Sequence, residues 1–528
     1  MSYASAIAQL YELGHELART PSHKFDLAHM RVLLEALGSP QRQFRSVLIA
    51  GTNGKGSTAA TLASIVRAAG HRTGLYTSPH LVRINERIRI NGEPISDADF
   101  THAHHQVEAA AVRLVQQGKL PWHPSFFEVL TAMAFLHFSG WCGPDLCGPG
   151  LRPGETALHP VDLAVLEVGM GGRLDATNVV EPLVSVITDI ALDHQKFLGN
   201  TVREIAGEKA GIIRPGGTVV TLPQHPEASD VIGNTILDRD ARAVSAVPYV
   251  PPVSPGSPLE TSRNNGSGTT FDVCHSDPER AQRVEGEESA VAGNQKLETR
   301  NSSYPLTVMG EEITVASPLL GRHQWRNLAL AIATAVELNL AGLRITPRDI
   351  ERGIGETRWP GRFQRVTLPR VPGRLPVSGH DFSRADRAAP STGASAPAEE
   401  ELTCVLDVAH NPAGAWALRA ALSQRFEGRP LLFVFGAMRD KAIAEMAEIL
   451  FPLAERVFAT CAENPRSATA EEIRDSAART GAEIEIAASV RDAIEAARRR
   501  APAGAVVVIT GSIYVVGEAM QALGLSAA

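Results

Sequence analysis

Cysteine is scarce in this sequence: only five occur among 528 residues, and they are scattered along the chain. None of them has the spacing of a metal site, which argues against a cysteine-based metal centre. An odd number without a disulfide pattern predicts a chain that stays reduced in the cytoplasm. The five positions are Cys142, Cys147, Cys274, Cys404 and Cys461.

An excess of basic residues and a long apolar run are also missing. The net charge is −7, which provides no basic surface for nucleic acid. The most apolar segment, residues 126–138, is too short to span a bilayer and contains Glu128 and His137. The first residues include Glu12 and Glu16 and lack the apolar core of a signal peptide. We therefore expect a cytoplasmic protein with no nucleic-acid or membrane partner.

One stretch, residues 46–58, reads as a buried strand, a glycine turn and the start of a helix. Its glycines let backbone N–H groups converge, Lys55 adds a cation, and Ser57 or Thr58 adds a hydroxyl that could face a magnesium ion. The usual P-loop spacing fails at two positions, where Ile49 and Gly56 stand in place of a glycine and a hydroxyl. The pattern favours a phosphate-binding loop over a plain glycine turn.

Strands and helices alternate on both sides of this loop, which predicts an α/β protein with two domains. The apolar runs at 161–168 and 183–188 are rich in β-branched residues, as in parallel strands covered on both faces. The predicted fold is a P-loop domain with a mostly parallel sheet at 1–358 and a C-terminal Rossmann-like doubly wound domain at 363–528. Segments 141–160, 251–303 and 371–400 are Gly/Pro-rich or polar, and we expect them to be mobile insertions.

Acidic and polar residues follow the predicted strands of the first domain, where magnesium would be held by oxygen ligands. Glu167 and His194 are the leading candidates, with a helix-capping acid and a turn histidine as the plainer alternatives. Ser78 has a turn serine as its alternative. Lys209 follows Glu204 and Glu208 on a predicted helix, and most such lysines form solvated ion pairs.

The second domain has a similar group at its first strand end, Asp407, His410 and Asn411, for which a capped turn is the alternative. Arg362 follows a Pro-Gly pair and has the alternative of a linker arginine. The segment 83–90 is basic and suits either an anionic substrate or a charged surface hairpin.

These segments together resemble the folylpolyglutamate synthase family, which includes bifunctional dihydrofolate synthases and belongs to the Mur-ligase superfamily. The resemblance spans both halves of the chain and omits the three insertions. It is carried by Gly51-Thr52-Asn53-Gly54-Lys55-Gly56-Ser57, Thr77-Ser78-Pro79-His80-Leu81, Asn85-Glu86-Arg87 and residues 166–178, 191–194, 204–215, 359–363 and 406–412.

The resemblance implies an ATP- and Mg²⁺-dependent ligase, expected to be monomeric, that adds L-glutamate to the γ-carboxylate of a folate through an acyl phosphate. Dihydropteroate is a second possible acceptor, although bifunctional members carry Asp-Leu-Gly where this chain has Asp26-Leu27-Ala28. Two alternatives stay open, another Mur-type ligase acting on a cell-wall nucleotide precursor and a simple P-loop NTPase.

The resemblance also assigns roles to single positions. It implies catalytic roles for Lys55, His194, Lys209 and His410, with Lys209 matching a carbamylated lysine. The implied ATP contacts are Thr52, Asn53, Gly54, Lys55, Gly56, Ser57, Asn327, Arg362 and Asp407. The implied magnesium ligands are Ser78, Glu167 and His194, and the implied pterin-binding wall includes Phe127, Glu128, Arg173, Leu174 and Asp175.

Overall fold

The computed structural model describes residues 2–14, 27–140, 159–251, 303–369 and 401–526. The predicted insertions lie almost wholly outside these ranges. The chain divides into two compact units, the first made of Met1–Ser78, Arg87–Pro318 and His323–Arg358. The second unit contains Pro79–Glu86, Leu319–Arg322 and Trp359–Ala528, so two short segments that precede Trp359 in the sequence belong to this unit.

The first unit is built on an eight-stranded sheet in the order β4-β3-β2-β5-β1-β6-β7-β8. Its strands are β1 (Arg45–Ala50), β2 (Thr73–Tyr76), β3 (Ile88–Ile90), β4 (Glu93–Pro94), β5 (Leu163–Glu167), β6 (Val184–Ile187), β7 (Thr218–Thr221) and β8 (Arg242–Ser245). The pairings from β2 to β8 are parallel, and β3 joins β2 and β4 in antiparallel pairs. All five residues of β5 are buried, as expected of a strand covered on both faces.

Ten helices and a hairpin complete the described part of this unit. The helices are α1 (Tyr3–Glu12), α2 (Leu27–Ala36), α3 (Lys55–Ala68), α4 (Asp97–Gln116), α5 (Phe126–Phe138), α6 (Gln195–Leu198), α7 (Val202–Ala210), α8 (Pro226–Asp238), α9 (Arg322–Leu340) and α10 (Pro347–Gly355). The sequence at 304–315 predicts a hairpin around Met309 and Gly310, and the structure pairs β9 (Tyr304–Val308) with β10 (Glu311–Val315) there. The amphipathic pattern at 3–19 predicts one helix, but α1 ends at Glu12 and residues 15–26 lie outside the described ranges.

The second unit has a six-stranded sheet in the order β11-β12-β16-β13-β14-β15, parallel except for the β11–β12 pair. Its strands are β11 (Gln364–Pro369), β12 (Glu401–Leu406), β13 (Leu431–Phe435), β14 (Arg456–Ala459), β15 (Ile484–Ile486) and β16 (Val506–Thr510). Its helices are α11 (Pro412–Arg425), α12 (Ile443–Leu450), α13 (Ala470–Ser476), α14 (Val490–Arg500) and α15 (Ile513–Ala522).

Helices cover both faces of this second sheet. Along β13, Phe433 and Phe435 belong to a core shared with α11, α12 and α13, whereas Leu432 and Val434 belong to a core shared with α14 and α15. This alternation follows from the two-residue period of a strand. The predicted fold class, a P-loop α/β domain with a doubly wound C-terminal domain, is therefore confirmed. Among the described residues, no helix has the length and apolarity needed to cross a membrane.

Candidate active site

The glycine turn between β1 and α3 forms a loop that curls around the side chain of Lys55. Gly54 has a left-handed backbone (φ +88°) and caps α3, which begins at Lys55. The Lys55 ammonium donates to the backbone carbonyls of Gly51 and Thr52, at 3.1 Å each. A cation and a helix N-terminus therefore meet at one point, which is the arrangement that binds phosphate.

The chain after β6 supports this loop from one side. The N–H groups of Thr52 and Asn53 donate to the carbonyl of Asp189, at 2.8 and 3.1 Å. The Thr52 hydroxyl donates to the Ala191 carbonyl (3.0 Å) and accepts from the Ala191 N–H (3.1 Å). The loop conformation thus depends on the backbone at 189–191.

Helix α9 brings Asn327 to the other side of the loop. Asn327 is buried, and its Nδ2 donates to Gln324 Oε1 at 2.8 Å. A β-carbon placed on Gly54 would lie 2.1 Å from Asn327 Oδ1, which leaves room for glycine alone. The predicted nucleotide contacts Gly54 and Asn327 are therefore neighbours, although they are far apart in sequence.

Glu167 stands at the end of β5, directly beside β1. It pairs in register with Ile49, two residues before the loop, and its carboxylate accepts the Ser78 N–H at 3.1 Å. Glu167 is only 4 % exposed. A buried carboxylate and a hydroxyl are hard oxygen donors, so this pair fits Mg²⁺, which keeps several of its waters and takes few protein ligands.

His194, the third predicted ligand, begins α6 with a left-handed backbone (φ +51°). Its N–H donates to Asp193 Oδ1 at 2.8 Å, and its Nε2 lies 4.0 Å from Asp193 Oδ2. Within the described ranges, no three His, Cys, Asp or Glu side chains form a metal-binding group. A magnesium ion here would therefore rely on Ser78, one or two of these side chains and phosphate oxygens.

Lys209 lies on α7 and is 4 % exposed. Its ammonium donates to the carbonyl of Gly51 at 2.8 Å. Burial, together with the nearby charge of Lys55, lowers the pKa of Lys209 from 10.5 to about 7, against the opposing effect of Asp193 and Asp175. The solvated ion pair considered from the sequence is thereby excluded.

The two glutamates near Lys209 have other partners. Glu204 caps α7 through the N–H groups of Asn200 and Thr201, at 2.7 and 3.1 Å. Glu208 Oε1 accepts from Arg173 Nη2 at 2.8 Å. Lys209 is thus held by the loop backbone and not by its helical neighbours.

The predicted pterin-binding residues have structural partners of their own. A β-carbon on Gly169 would lie 2.5 Å from the Phe127 ring, so α5 and the turn after β5 are in close contact. Glu128 caps α5 through the N–H and hydroxyl of Ser125, at 2.8 and 2.7 Å. Phe127 and Glu128 remain predicted substrate contacts, and the capping role of Glu128 is an addition to that prediction.

Asp175 and its neighbours form the turn that faces α7. Asp175 accepts from the N–H groups of Met170 and Thr177, both at 3.0 Å, and burial raises its pKa. Arg173 is exposed and Leu174 is half-buried. The segment is therefore buried and hydrogen-bonded at Asp175 and exposed to solvent at Arg173, and its substrate role stays a prediction.

The second unit brings Arg362, Asp407 and His410 together at the start of β11 and the end of β12. Asp407 accepts the N–H groups of Phe363 and Ala409, at 2.8 and 2.9 Å. His410 Nδ1 donates to the Val408 carbonyl at 2.9 Å, which fixes the orientation of the ring. Sequence analysis placed Asp407 and His410 correctly at the end of a strand, but it did not group Arg362 with them. The ligand contacts of all three residues stay predictions.

Two side chains next to the loop, Gln224 and Arg326, are absent from the predicted site residues. Gln224 is buried and Arg326 pairs with Asp189. Neither belongs to a recognisable motif, because the contacts of each side chain join parts of the chain that are distant in sequence. No local signal could have identified Gln224.

Comparisons with known proteins agree with this arrangement. A family described as "Mur ligase, glutamate ligase domain" matches residues 396–513. The dihydrofolate synthase/folylpolyglutamate synthase of Bacillus subtilis is 31% identical over 501 residues, covering 94% of each chain.

Solved structures give the same result. A Mycobacterium tuberculosis folylpolyglutamate synthase complexed with ADP and AMPPCP has a TM-score of 0.72 and 31% identity over 99% of both chains. A bifunctional folylpolyglutamate synthase/dihydrofolate synthase with Mn, AMPPNP and L-glutamate bound has a TM-score of 0.67 and 26% identity, covering 99% of this chain and 98% of that one. The chain therefore belongs to the folylpolyglutamate synthase/dihydrofolate synthase family.

Proposed function

We propose that this protein is an ATP-dependent ligase that joins the amine of L-glutamate to the γ-carboxylate of a folate. The observation that carries the proposal is the pair of lysines at the glycine loop, Lys55 and the buried Lys209, beside the carboxylate of Glu167. A reaction that brings several anions together needs cations to balance the developing negative charge, and Lys55 and a magnesium ion at Glu167 would supply them, whereas Lys209 supplies a reactive amine.

The reaction has two steps. A γ-carboxylate oxygen of folate attacks the γ-phosphorus of ATP, which releases ADP and leaves an acyl phosphate. The glutamate amine then attacks the acyl carbon, loses a proton and forms the amide as phosphate departs. Lys55 and the loop N–H groups stabilise the charge that develops on the transferred phosphoryl group.

Ser78, Glu167 and His194 would hold Mg²⁺. The ion supplies charge neutralisation at the phosphate oxygens. In the proposed site Thr52, Asn53, Gly54, Gly56, Ser57, Asn327, Arg362 and Asp407 bind the nucleotide. The fixed ring of His410 supports an orienting role towards the phosphates.

Lys209 would act as a carbamate. The ammonium first loses one proton; the neutral amine then attacks CO₂, forms an N–C bond and releases a second proton, so that a cation becomes an anion. The lowered pKa supports this step, because it gives Lys209 far more neutral amine at pH 7 than an ordinary lysine, which is almost fully charged. The carbamate oxygens would then attract the metal or orient its waters.

Phe127, Glu128, Arg173, Leu174 and Asp175 form the proposed wall for the pterin. A cytoplasmic monomer fits this function. The two cysteines in the described ranges, Cys404 and Cys461, are free thiols, as in a reducing compartment.

A coupled assay of ADP release tests the proposal. ADP should appear only when Mg²⁺, L-glutamate and a tetrahydrofolate are all present, and mass spectrometry should find a folate with one more glutamyl residue. A parallel reaction with dihydropteroate tests the second acceptor. ADP release that is indifferent to folate and glutamate would identify a simple NTPase, and release that needs a cell-wall nucleotide precursor would identify another Mur-type ligase.

A further inference from the structure

The carbonyl of Asp189 holds the phosphate-binding loop in place. It accepts the N–H groups of Thr52 and Asn53, the second and third residues of the loop. A shift of this carbonyl would release both N–H groups and change the loop that they shape. The position of Asp189 therefore matters for phosphate binding even if its side chain touches no substrate.

Arg326, on α9, fixes the side chain of Asp189. Its Nε lies 3.1 and 3.0 Å from the two carboxylate oxygens, and its Nη2 lies 2.6 Å from Oδ1. The same Nη2 donates to the carbonyl of Pro223 at 2.8 Å. A planar guanidinium in a two-oxygen contact restricts both the position and the orientation of its carboxylate.

Gln224 fixes the backbone on both sides of Asp189. Its Oε1 accepts the Ile190 N–H at 2.9 Å, and its Nε2 donates to the Thr188 carbonyl at 3.2 Å. Gln224 is 7 % exposed, so these bonds are shielded from water. One amide side chain thus bridges the residues before and after Asp189.

We propose that Gln224 and Arg326 are positioning residues of the nucleotide site, which act through the Asp189 carbonyl on the N–H groups of Thr52 and Asn53. The inference rests on the proposed function, because it assumes that the loop binds ATP phosphates. It extends that function to two residues that touch no substrate. Asn327, the next residue on α9, contacts the same loop at Gly54, so this helix reaches the loop by two routes.

We call the contacts of Gln224 and Arg326 around Asp189 the clamp. Hydrogen exchange in the nucleotide-free protein tests it and needs no measurement of activity. In Arg326→Met and Gln224→Met, peptides that cover Thr52 and Asn53 should exchange at least several-fold faster than in the wild type. The control is Arg67→Met, which removes an arginine–carboxylate pair (Arg67 to Glu356, 3.1 Å) in the same unit. Unchanged loop exchange in both clamp variants would overturn the proposal.

Calorimetry with ADP and a non-hydrolysable ATP analogue gives the functional readout. Both clamp variants should bind nucleotide on the order of tenfold more weakly, with a raised KM for ATP and a smaller effect on the KM for glutamate. Arg326→Lys should recover part of the affinity, because a lysine keeps the charge but offers a single point contact. Asp189→Asn and Arg326→Met should be strongly non-additive in combination, since they break one contact.

The outcomes distinguish the positioning role of Gln224 and Arg326 from the proposed ligase function. A lower melting temperature with unchanged nucleotide affinity and unchanged loop exchange would make Gln224 and Arg326 purely structural and would overturn the proposal. Faster loop exchange in a protein whose wild type binds no nucleotide would keep the clamp but contradict the proposed function.

Discussion

The Lys209 ammonium lies 2.8 Å from the carbonyl of Gly51, the first residue of the phosphate-binding loop. The two residues are 158 positions apart, and Lys209 is 4 % exposed. Burial and the charge of Lys55 lower its pKa to about 7. The lowered pKa favours the neutral amine near pH 7, and the contact with Gly51 joins Lys209 directly to the loop.

Replacement of Lys209 by alanine should nearly abolish ligation, because the proposed carbamate oxygens are lost. Small carboxylates such as formate or acetate should restore part of the rate by entering the vacated space. Lys209→Glu should be a weaker substitute because its side chain is shorter than a carbamylated lysine. Steady-state rates with and without added carboxylate provide the measurement, and a wild-type rate in the alanine variant would contradict the role.

The unmodified amine also predicts a pH dependence of stability. The folded-state pKa of Lys209 is about 7 and its ordinary value is 10.5, so between these values the unfolded chain binds a proton that the folded chain does not. The free energy of unfolding should therefore rise with pH in this window, by at most about 1.4 kcal/mol per pH unit. Chemical denaturation in CO₂-free buffer measures it, and Lys209→Met, which lacks this titration, is the control. If the free energy of unfolding changed with pH in the same way in the wild type and in Lys209→Met, the lowered pKa of a buried Lys209 amine would be contradicted.

Lys55→Ala should abolish turnover and leave the fold intact. Among the described residues, the Lys55 ammonium donates to the loop carbonyls of Gly51 and Thr52, so its loss removes a phosphate-facing cation but no core packing. We expect a fall in kcat of at least about a hundredfold. The melting temperature should stay close to that of the wild type. Near-normal ligation by this variant would show that the loop has another role.

Gly54→Ala should damage the loop more than a matched change elsewhere. Gly54 has φ +88° and its added β-carbon would lie 2.1 Å from Asn327 Oδ1, whereas Gly92 has φ +89° and open space around it. Both substitutions carry a left-handed backbone cost of about 1–2 kcal/mol. Only Gly54→Ala should also weaken nucleotide binding, as calorimetry can measure. Equal effects of the two variants on nucleotide affinity would mean that Asn327 does not constrain the loop.

His123 and Glu108 give a second pH prediction, just before α5. His123 Nδ1 lies 2.9 Å from the Pro124 carbonyl and Nε2 lies 3.1 Å from Glu108, so both nitrogens can donate only in the charged ring. The hydrogen bond to Glu108 raises the pKa of His123.

Glu108→Gln should lower the pKa of His123, which an NMR titration of the ring protons measures. Because the folded-state pKa of His123 is raised, the stabilisation is present below pH 6.5 and is lost as the pH rises through that raised value. The variant should lose about 1 kcal/mol of unfolding free energy at pH 6 and little at pH 9. A His123 pKa that does not respond to Glu108→Gln would disprove the pairing.

Local sequence patterns predicted the framework of the molecule. The strand, glycine turn and helix at 46–58 are present, because three glycines, a lysine and a β-branched run each dictate their own local geometry. The ends of β5 and β12 were identified in the same way, from polar residues that follow buried apolar runs. Edge strands were harder to predict: β11 was missed, because Gln364–Pro369 has only Val366 and Leu368 as large apolar residues and pairs with β12 at the edge of the sheet.

Contacts between distant segments could not be predicted from the residues. The pattern around Lys209 suits a solvated helix face, and only the packing of α7 against the loop buries it. Gln224 has an ordinary position before α8, and its clamp exists because β6 and β7 end side by side. In both cases the site depends on which strand ends become neighbours in the sheet. The local sequence pattern does not specify that order.

Transfer of ¹⁸O from a folate labelled in its γ-carboxylate tests the proposed ligation most directly. If the carboxylate is phosphorylated by ATP and glutamate then displaces phosphate, one labelled oxygen must leave with each phosphate released. We predict that mass spectrometry will find one ¹⁸O in the inorganic phosphate and a glutamyl-extended folate in equal amount. Unlabelled phosphate accompanying ADP release would mean that water attacks ATP, and would contradict both the acyl phosphate and the assignment as a ligase.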